Sequence, residues 1–366
     1  MRGERRRQVG MLTVLSPERL VPKDHPIRRI KALADAELVR LSPLLARMYA
    51  ERGRPSIPPE ALRKAQLLIA LYSVRSERQF CEQLRYTLLF RYFLDLGLDE
   101  GTFDASSFAQ HKARLLAADV ARHCFEGVVA QARAAQLLSA EHFTLDGTLI
   151  EAWAALKSLR PKAERPADRP PPDDPGNPTV SLRGERRGNA THASTTDPEA
   201  RLAKKGHTMP AQRCYAAHVL MENRHGLCVD GSLAAATGEA EWEEGLRLVA
   251  RPRAAAQRVR TLGADRGYDV RRCMAPLRAA GITPHVAPYG DSRRRSWIDG
   301  RTLRHPGYAR SQRVRKRVEE ICGWMKTVGG LRKTRYRGQA RVALHTYLVA
   351  TAYNLLRIAK LGAVPA

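Results

Sequence analysis

The sequence predicts an α/β protein: a mixed sheet with flanking helices, preceded by an all-helical N-terminal domain. Three observations carry that reading. Residues 1–137 show helical apolar spacing and no strand alternation. From residue 138 onward, short apolar runs alternate with amphipathic stretches, the pattern of a sheet covered by helices. Basic residues run through both parts, with 63 Lys+Arg against 37 Asp+Glu in 366 residues, a formal net charge of +26. That excess is too large for an ordinary metabolic enzyme and predicts a polyanionic partner, most simply nucleic acid.

The elements follow in order. Residues 24–50 read as a helix, with Ile27, Ile30, Leu33, Leu38 and Leu41 as a loose apolar stripe. GRPSIPPE (53–60) is a break, and Ser56 to Pro59 starts the next helix. Residues 59–95 read as two or three helices, and 106–137 as one long helical stretch. HFTLDGTLIEAWA (142–154) starts as a short strand and turns at Asp146-Gly147. At about 160–190, seven prolines between Pro161 and Pro178 forbid regular structure and mark an exposed insertion. Residues 214–238 read as a hairpin around Asn223–Gly226, 241–257 as a helix, and 259–269 as strand then loop. A helix at 270–281 closes on Gly281, and a strand follows at 282–289. Residues 301–341 are helical and strongly basic, opposed only by Glu319 and Glu320. The last helix, 340–361, aligns Leu344, Leu348, Thr351 and Leu355 on one face for the core. The domains read as 1–137 and 138–366.

Several function classes fall away. No run of 18 apolar residues exists to span a membrane, and no apolar stretch follows the basic start as a secretory segment would require. Six cysteines without CxxC spacing argue for reduced thiols rather than disulfides or zinc. The expected location is the cytoplasm.

Three acids carry the chemistry. Asp146 ends a short apolar run, and Asp265 follows Leu262-Gly263-Ala264 in the same design. Either alone is a turn or cap residue. On a helix, Val314, Val318, Ile321 and Met325 form an apolar stripe, and Arg315, Glu319, Cys322 and Lys326 a second one beside it. Alone, Arg315 and Glu319 are a surface pair. Together, two strand-end aspartates and a helical glutamate in a basic chain suggest a two-metal phosphoryl-transfer site, since Mg²⁺ is hard and prefers carboxylate oxygen.

The motifs resemble the DDE transposases of bacterial insertion sequences, in the IS-five-like group of the IS-four-like superfamily. The resemblance runs through 53–100, HFTLDGTLIEAWAALKS (142–158), 189–206, TLGADRGYD (261–269) and RKRVEEICGWMKTVGGLRKTRYRG (315–338). It implies an RNase H-like catalytic fold, with Asp146, Asp265 and Glu319 as catalytic metal ligands for Mg²⁺, for which Mn²⁺ can substitute. Arg315, Glu319 and Lys326 match the superfamily's Arg-x₃-Glu-x₆-Lys register, which favours Glu319 over Glu320. The signature tyrosine position is Gln312, a departure, and Tyr308 lies one turn earlier. The implied activity is cleavage at inverted-repeat ends and transfer of the 3′-OH into target DNA, on double-stranded DNA and as a homodimer. Alternatives are a non-catalytic DNA-binding repressor of transposition and a nuclease that does not join.

Arg315, Lys326, Arg332, Lys333, Arg335 and Arg337 are the expected DNA contacts. The helices at 59–74 and 76–94 are a candidate helix-turn-helix. Trp153 and Trp324 read as core residues, His218 and His225 as structural or exposed. Asn189, His192 and Asp197 read as a positioning loop.

Overall fold

The computed structural model describes residues 16–49, 56–110, 119–139, 141–162, 180–182, 184–205, 208–238, 240–254, 258–289 and 295–362. The chain forms two compact units. The first comprises 1–137, 327–330 and 347–366, and the second 138–326 and 331–346. The last helix, Gln339–Lys360, starts in the second and ends in the first.

The first unit is helical. Its helices are Pro17–Leu20, Pro26–Arg47, Pro59–Leu71, Glu77–Tyr86, Leu88–Leu94 and Val120–Ala134. Proline opens three of them, where the missing N–H has no intrahelical partner to lose. Ser76 caps Glu77–Tyr86 by accepting from the Gln79 amide at 3.1 Å. The expected stripe of Ile27, Ile30, Leu33, Leu38 and Leu41 is buried. The long helix expected over 106–137 is interrupted at Asp119, whose φ of +48 is left-handed, and residues 111–118 lie outside the described residues.

Charge is buried in this unit. Lys64, 1 % exposed, lies 2.7 Å from Asp35 and 2.6 Å from Asp95, and Lys31 bridges the same two acids. Gly127 packs against Glu37, which is itself buried and held by Arg40. A Cβ there would stand 2.0 Å from a Glu37 oxygen. Gly→Ala in a helix ordinarily stabilises by about 1 kcal/mol. Here Gly127→Ala should instead lower the melting temperature, and a rise would mean that Glu37 swings out freely.

The second unit is built on a mixed sheet. Its strands are β1 (His142–Glu151), β2 (Leu159–Pro161), β3 (Val180–Leu182), β4 (Glu185–Arg187), β5 (His192–Ser194), β6 (Arg201–Ala203), β7 (Gln212–Glu222), β8 (Cys228–Ala235), β9 (Thr261–Ala264) and β10 (Thr283–Val286). The main sheet runs β10-β9-β1-β7, and β8 and β6 share the far edge of β7. β10, β9 and β1 are parallel, and β7 is antiparallel to β1, β6 and β8. Phe143, Leu145, Leu262, Ala264 and Val286 from one face join Leu248, Val249, Met274 and Leu277 of helices Ala240–Ala254 and Arg271–Ala279 in the core.

The expected hairpin is β7–β8, and the helix at 271–279 does close near Gly281, at φ +70. Four expectations need correction. Asp146-Gly147 is no turn: β1 runs straight through, because Asp146 and Gly147 pair with Val219 and His218 of β7. The proline-rich region is flanked by regular pairs, β2 with β5 and β3 with β4, while 163–179 lie outside the described residues. The helix expected through 313–326 is two, Pro306–Arg315 and Arg317–Thr327, stepping at Lys316. Trp153 is not core but 49 % exposed, since the chain leaves β1 two residues before it.

Asn189, His192 and Asp197 hold chain segments together. Asn189 bonds both backbone groups of Leu202, His192 is buried, and Asp197 accepts from the Tyr215 hydroxyl at 2.7 Å. All six cysteines are buried, and among the described residues none forms a disulfide. Among the described residues, no helix is long and apolar enough to cross a membrane.

Candidate metal centre

Two strands and one helix bring three carboxylates together. In the parallel pair β1–β9, His142 faces Thr261 and Thr144 faces Gly263. The pairing ends there; Asp146 comes two residues later within β1, and Asp265 directly follows the last residue of β9. Asp146 therefore shares the β1 face of His142 and Thr144, and Asp265 stands as the N-cap of the turn Arg266–Tyr268. Glu241 comes from the first turn of helix Ala240–Ala254. One oxygen from each of Asp146, Glu241 and Asp265 lies within 4.8 Å of the others, and all three residues are half-buried. Glycines leave the space: a Cβ on Gly147 would stand 3.1 Å from Oε1 of Glu241, and one on Gly267 3.1 Å from Oδ1 of Asp265. The Gly267 amide also donates to that Asp265 oxygen at 2.9 Å, fixing it.

The acids repel one another. Burial first, and then Asp265, push Asp146 up to about 6; Arg315 opposes this and Glu319 adds slightly to it. Burial, then Asp265 and Asp146, push Glu241 up to about 7. The Tyr268 hydroxyl is buried without a hydrogen-bond partner, and its pKa is raised by burial and by all three carboxylates. His218, opposite Gly147 on β7, is buried with both ring nitrogens unpartnered, and burial holds it down at about 4.

This donor set fits a divalent metal. Three oxygen ligands suit a hard cation, whose charge would replace the protons that now relieve the repulsion. The sign of the pH dependence follows. Asp146 and Glu241 hold protons more tightly folded than unfolded, so their contribution to metal-free stability is full below about pH 4 and is lost as pH rises through 6 and 7. Metal competes with those protons. At ten times its Kd, Mn²⁺ should stabilise by about 1.4 kcal/mol, or about 2–4 °C in melting temperature, at pH 8 and much less at pH 5. Equal shifts at both pH values would place the metal elsewhere.

Glu319 lies outside the group of three. It is exposed, on helix Arg317–Thr327, within electrostatic reach of Asp146. Arg315 ends the preceding helix; its Nε is buried without a partner, and it makes no ion pair with Glu319. Lys326 is half-buried, and desolvation, then Lys205, lower its pKa. Gln312 and Tyr308 both tie their helix to β10, donating to the carbonyls of His285 and Val286. Residues 331–334 run beside the end of β1, where Lys333 pairs with Glu151 at 2.7 Å. Arg332 and Arg337 are exposed and Arg335 half-buried.

Glu241 escapes a reading of the sequence. Its only signal is its place before an amphipathic helix in a run of three glutamates, Glu241, Glu243 and Glu244, and nothing local distinguishes the one that turns inward.

Two family models match the chain: "Transposase domain (DUF772)" over residues 15–114 and "Transposase DDE domain" over 188–355. The chain carries a transposase DDE domain. The DDE match spans Glu241, Asp265 and Glu319 of this transposase, while Asp146 lies before it, within β1. No curated protein matches the chain. Among solved structures, it is similar to a piggyBac transposase synaptic complex with hairpin DNA, at 9 % identity and a TM-score of 0.40, covering 96 % of this chain and 79 % of that one. It is similar also to a pre-cleavage Mos1 transpososome, at 13 % identity and a TM-score of 0.20, covering 84 % and 81 %.

Proposed function

We propose that this transposase is of the IS-five-like insertion-sequence group, and that it cuts the inverted-repeat ends of its element and joins the freed 3′-OH to target DNA. The observation that carries the proposal is the cluster of three carboxylates, Asp146, Asp265 and Glu241, with one oxygen of each within 4.8 Å of the others, beside the parallel pair β1–β9. An RNase H-like catalytic core is supported by the strand arrangement, an antiparallel β1-β7-β8 meander extended by parallel β9 and β10.

Asp146, Asp265 and Glu241 would hold the divalent metal, Mg²⁺ in our reading with Mn²⁺ able to substitute, and Glu319 stands beside them for the DNA-bound state. Such a metal supplies charge stabilisation at the phosphodiester and lowers the pKa of an attacking oxygen. Gly147 and Gly267 keep the space between the carboxylates open. Arg315, with its free Nε, and half-buried Lys326 are placed to hold phosphates beside the acids. Arg332, Arg335 and Arg337 extend that basic edge, and Lys333 must leave Glu151 to join them. The helical first unit is assigned to end recognition, and pairing two ends calls for a homodimer.

The test is strand transfer on end duplexes from the flanking DNA, with Mg²⁺, Mn²⁺ or chelator, comparing wild type with Asp265→Ala. Metal-dependent joined product, lost in the variant, supports the proposal. End binding without chemistry would overturn it in favour of a repressor, and cleavage without joining in favour of a nuclease.

A further inference from the structure

The face of the sheet that presents Asp146 and Asp265 carries a second feature upstream. A cavity of about 950 Å³ opens where β1, β9 and β10 begin, and its lining includes His142, Thr261, His285 and Ser311. His142 and Thr261 are the fourth residues before Asp146 and Asp265, on the same side of their strands. At about 3.3 Å per residue, that edge of the cavity is about 13 Å along the strands from the carboxylates, and His285, level with Gly263, is about 7 Å from them.

Its chemistry differs from that of the metal centre. Arg224, Arg301 and Arg310 stand exposed around it, with no ion-pair partner among the described residues. The cavity's acids are already engaged: Asp299 caps a helix through the Thr302 amide and pairs with Arg278, and Glu141 pairs with Arg260. Hydrogen-bonding groups wait at the floor. His285 is 5 % exposed and Ser311 8 %, yet neither His285 Nδ1 nor Ser311 Oγ has a partner. Buried polar groups left so are costly unless something bonds them. Helix Pro306–Arg315 joins the two places, since it contributes Arg310 and Ser311 to the cavity and ends at Arg315 within reach of Asp146.

We propose that this cavity is a nucleotide site, occupied by one unpaired nucleotide of the DNA strand engaged at the metal centre. The inference rests on the transposase reading for the source of that strand. The arginines meet phosphate, and the buried His285 and Ser311 meet the edge of a base that has left its stack, since a stacked pair cannot enter a concave floor. The volume lies within the range of pockets that enclose a small organic ligand. The spacing of about 7 to 13 Å corresponds to about two to four nucleotides at the 3.4 Å rise of a duplex strand. The cavity thus fixes the strand at a second point, upstream of the reacting phosphate.

The test is binding of a fluorescent ten-residue oligo-dT by the full chain in chelator, which keeps metal chemistry out of the readout. Arg301→Glu/Arg310→Glu is compared with Arg247→Glu, a charge reversal on an exposed helical face. We expect at least a tenfold loss of affinity in the double variant, less than twofold in the control, and a fall of about 1.4 in the log–log salt slope for two lost phosphate contacts. A 5-iodouracil strand should crosslink to peptides carrying His285 or His305, which both line the cavity. Affinity within twofold of wild type in the double variant, or crosslinks confined to other segments, would overturn the proposal. Binding of dTMP with no binding of the strand would also overturn it, in favour of a free nucleotide. Thermal melts of both variants check folding. Strand-transfer failure in the wild type, with oligo-dT binding intact, would count against the transposase reading alone.

Discussion

Glu241→Gln is expected to abolish metal-dependent chemistry while leaving the metal-free protein at least as stable as wild type. The amide would keep the shape of the side chain but lose one of three clustered oxygen charges. Losing a metal ligand at such a site removes several kcal/mol of charge stabilisation, and about 4 kcal/mol is about 10³-fold in rate. Mn²⁺ binding in calorimetry should weaken in parallel, without DNA present. Stability in chelator should move the other way. Glu241 is held up at about 7 by burial, Asp265 and Asp146, so at pH 8 the native state bears a repulsion that glutamine relieves. A gain of about 1–3 kcal/mol is the expected scale. The opposite signs separate a ligand from a structural residue, whose loss would lower both. Glu319→Gln supplies the contrast: exposed and outside the cluster, Glu319 should leave metal binding without DNA unchanged. Full activity and metal affinity in Glu241→Gln, with both lost in Glu319→Gln, would return the third position to Glu319.

Lys64→Met should destabilise the helical unit by about 3–5 kcal/mol, the usual cost of removing one partner from a buried charge network. Lys64 is 1 % exposed and contacts both Asp35 and Asp95. Methionine fills similar volume, so the loss is electrostatic rather than a cavity. Lys31 would then still face both acids from a more open position, 15 % exposed. Asp95, held below its ordinary value by Lys64 and Lys31 against its own burial, contributes stability that is present above about pH 4 and is lost as pH falls through its folded pKa. Urea unfolding at pH 7 measures the change. A loss under 1 kcal/mol would mean that water reaches Asp35 and Asp95 once the lysine is gone.

Much of this is legible in the sequence, for local reasons. Helical spacing locates the stripe from Ile27 to Leu41, and the pair of apolar runs around Asn223–Gly226 locates β7 and β8. Charge arithmetic points to a polyanion. Asp146 and Asp265 are identified from their blocks, but in sequence Asp146 reads as the end of its strand. Asp-Gly is turn chemistry in isolation, and only pairing with Val219 and His218 holds β1 straight through it. Trp153 shows the same limit. It has apolar neighbours in sequence but none of its burial depends on them, because β1 ends at Glu151.

The sequence alone determined the element types, the basic character and the two aspartates, because each is written in spacing or composition within a few residues. The tertiary structure decided which acid joins them. Glu241, Glu243 and Glu244 are told apart only by how one helix sits on the sheet, its Leu248 and Val249 sharing a core with Phe143 and Leu145 and its Glu241 lying against Gly147. The same packing faces Glu241 toward Asp146 and Asp265 and leaves Glu243 exposed. No local pattern encodes a contact between residues about a hundred positions apart; register and core packing make it.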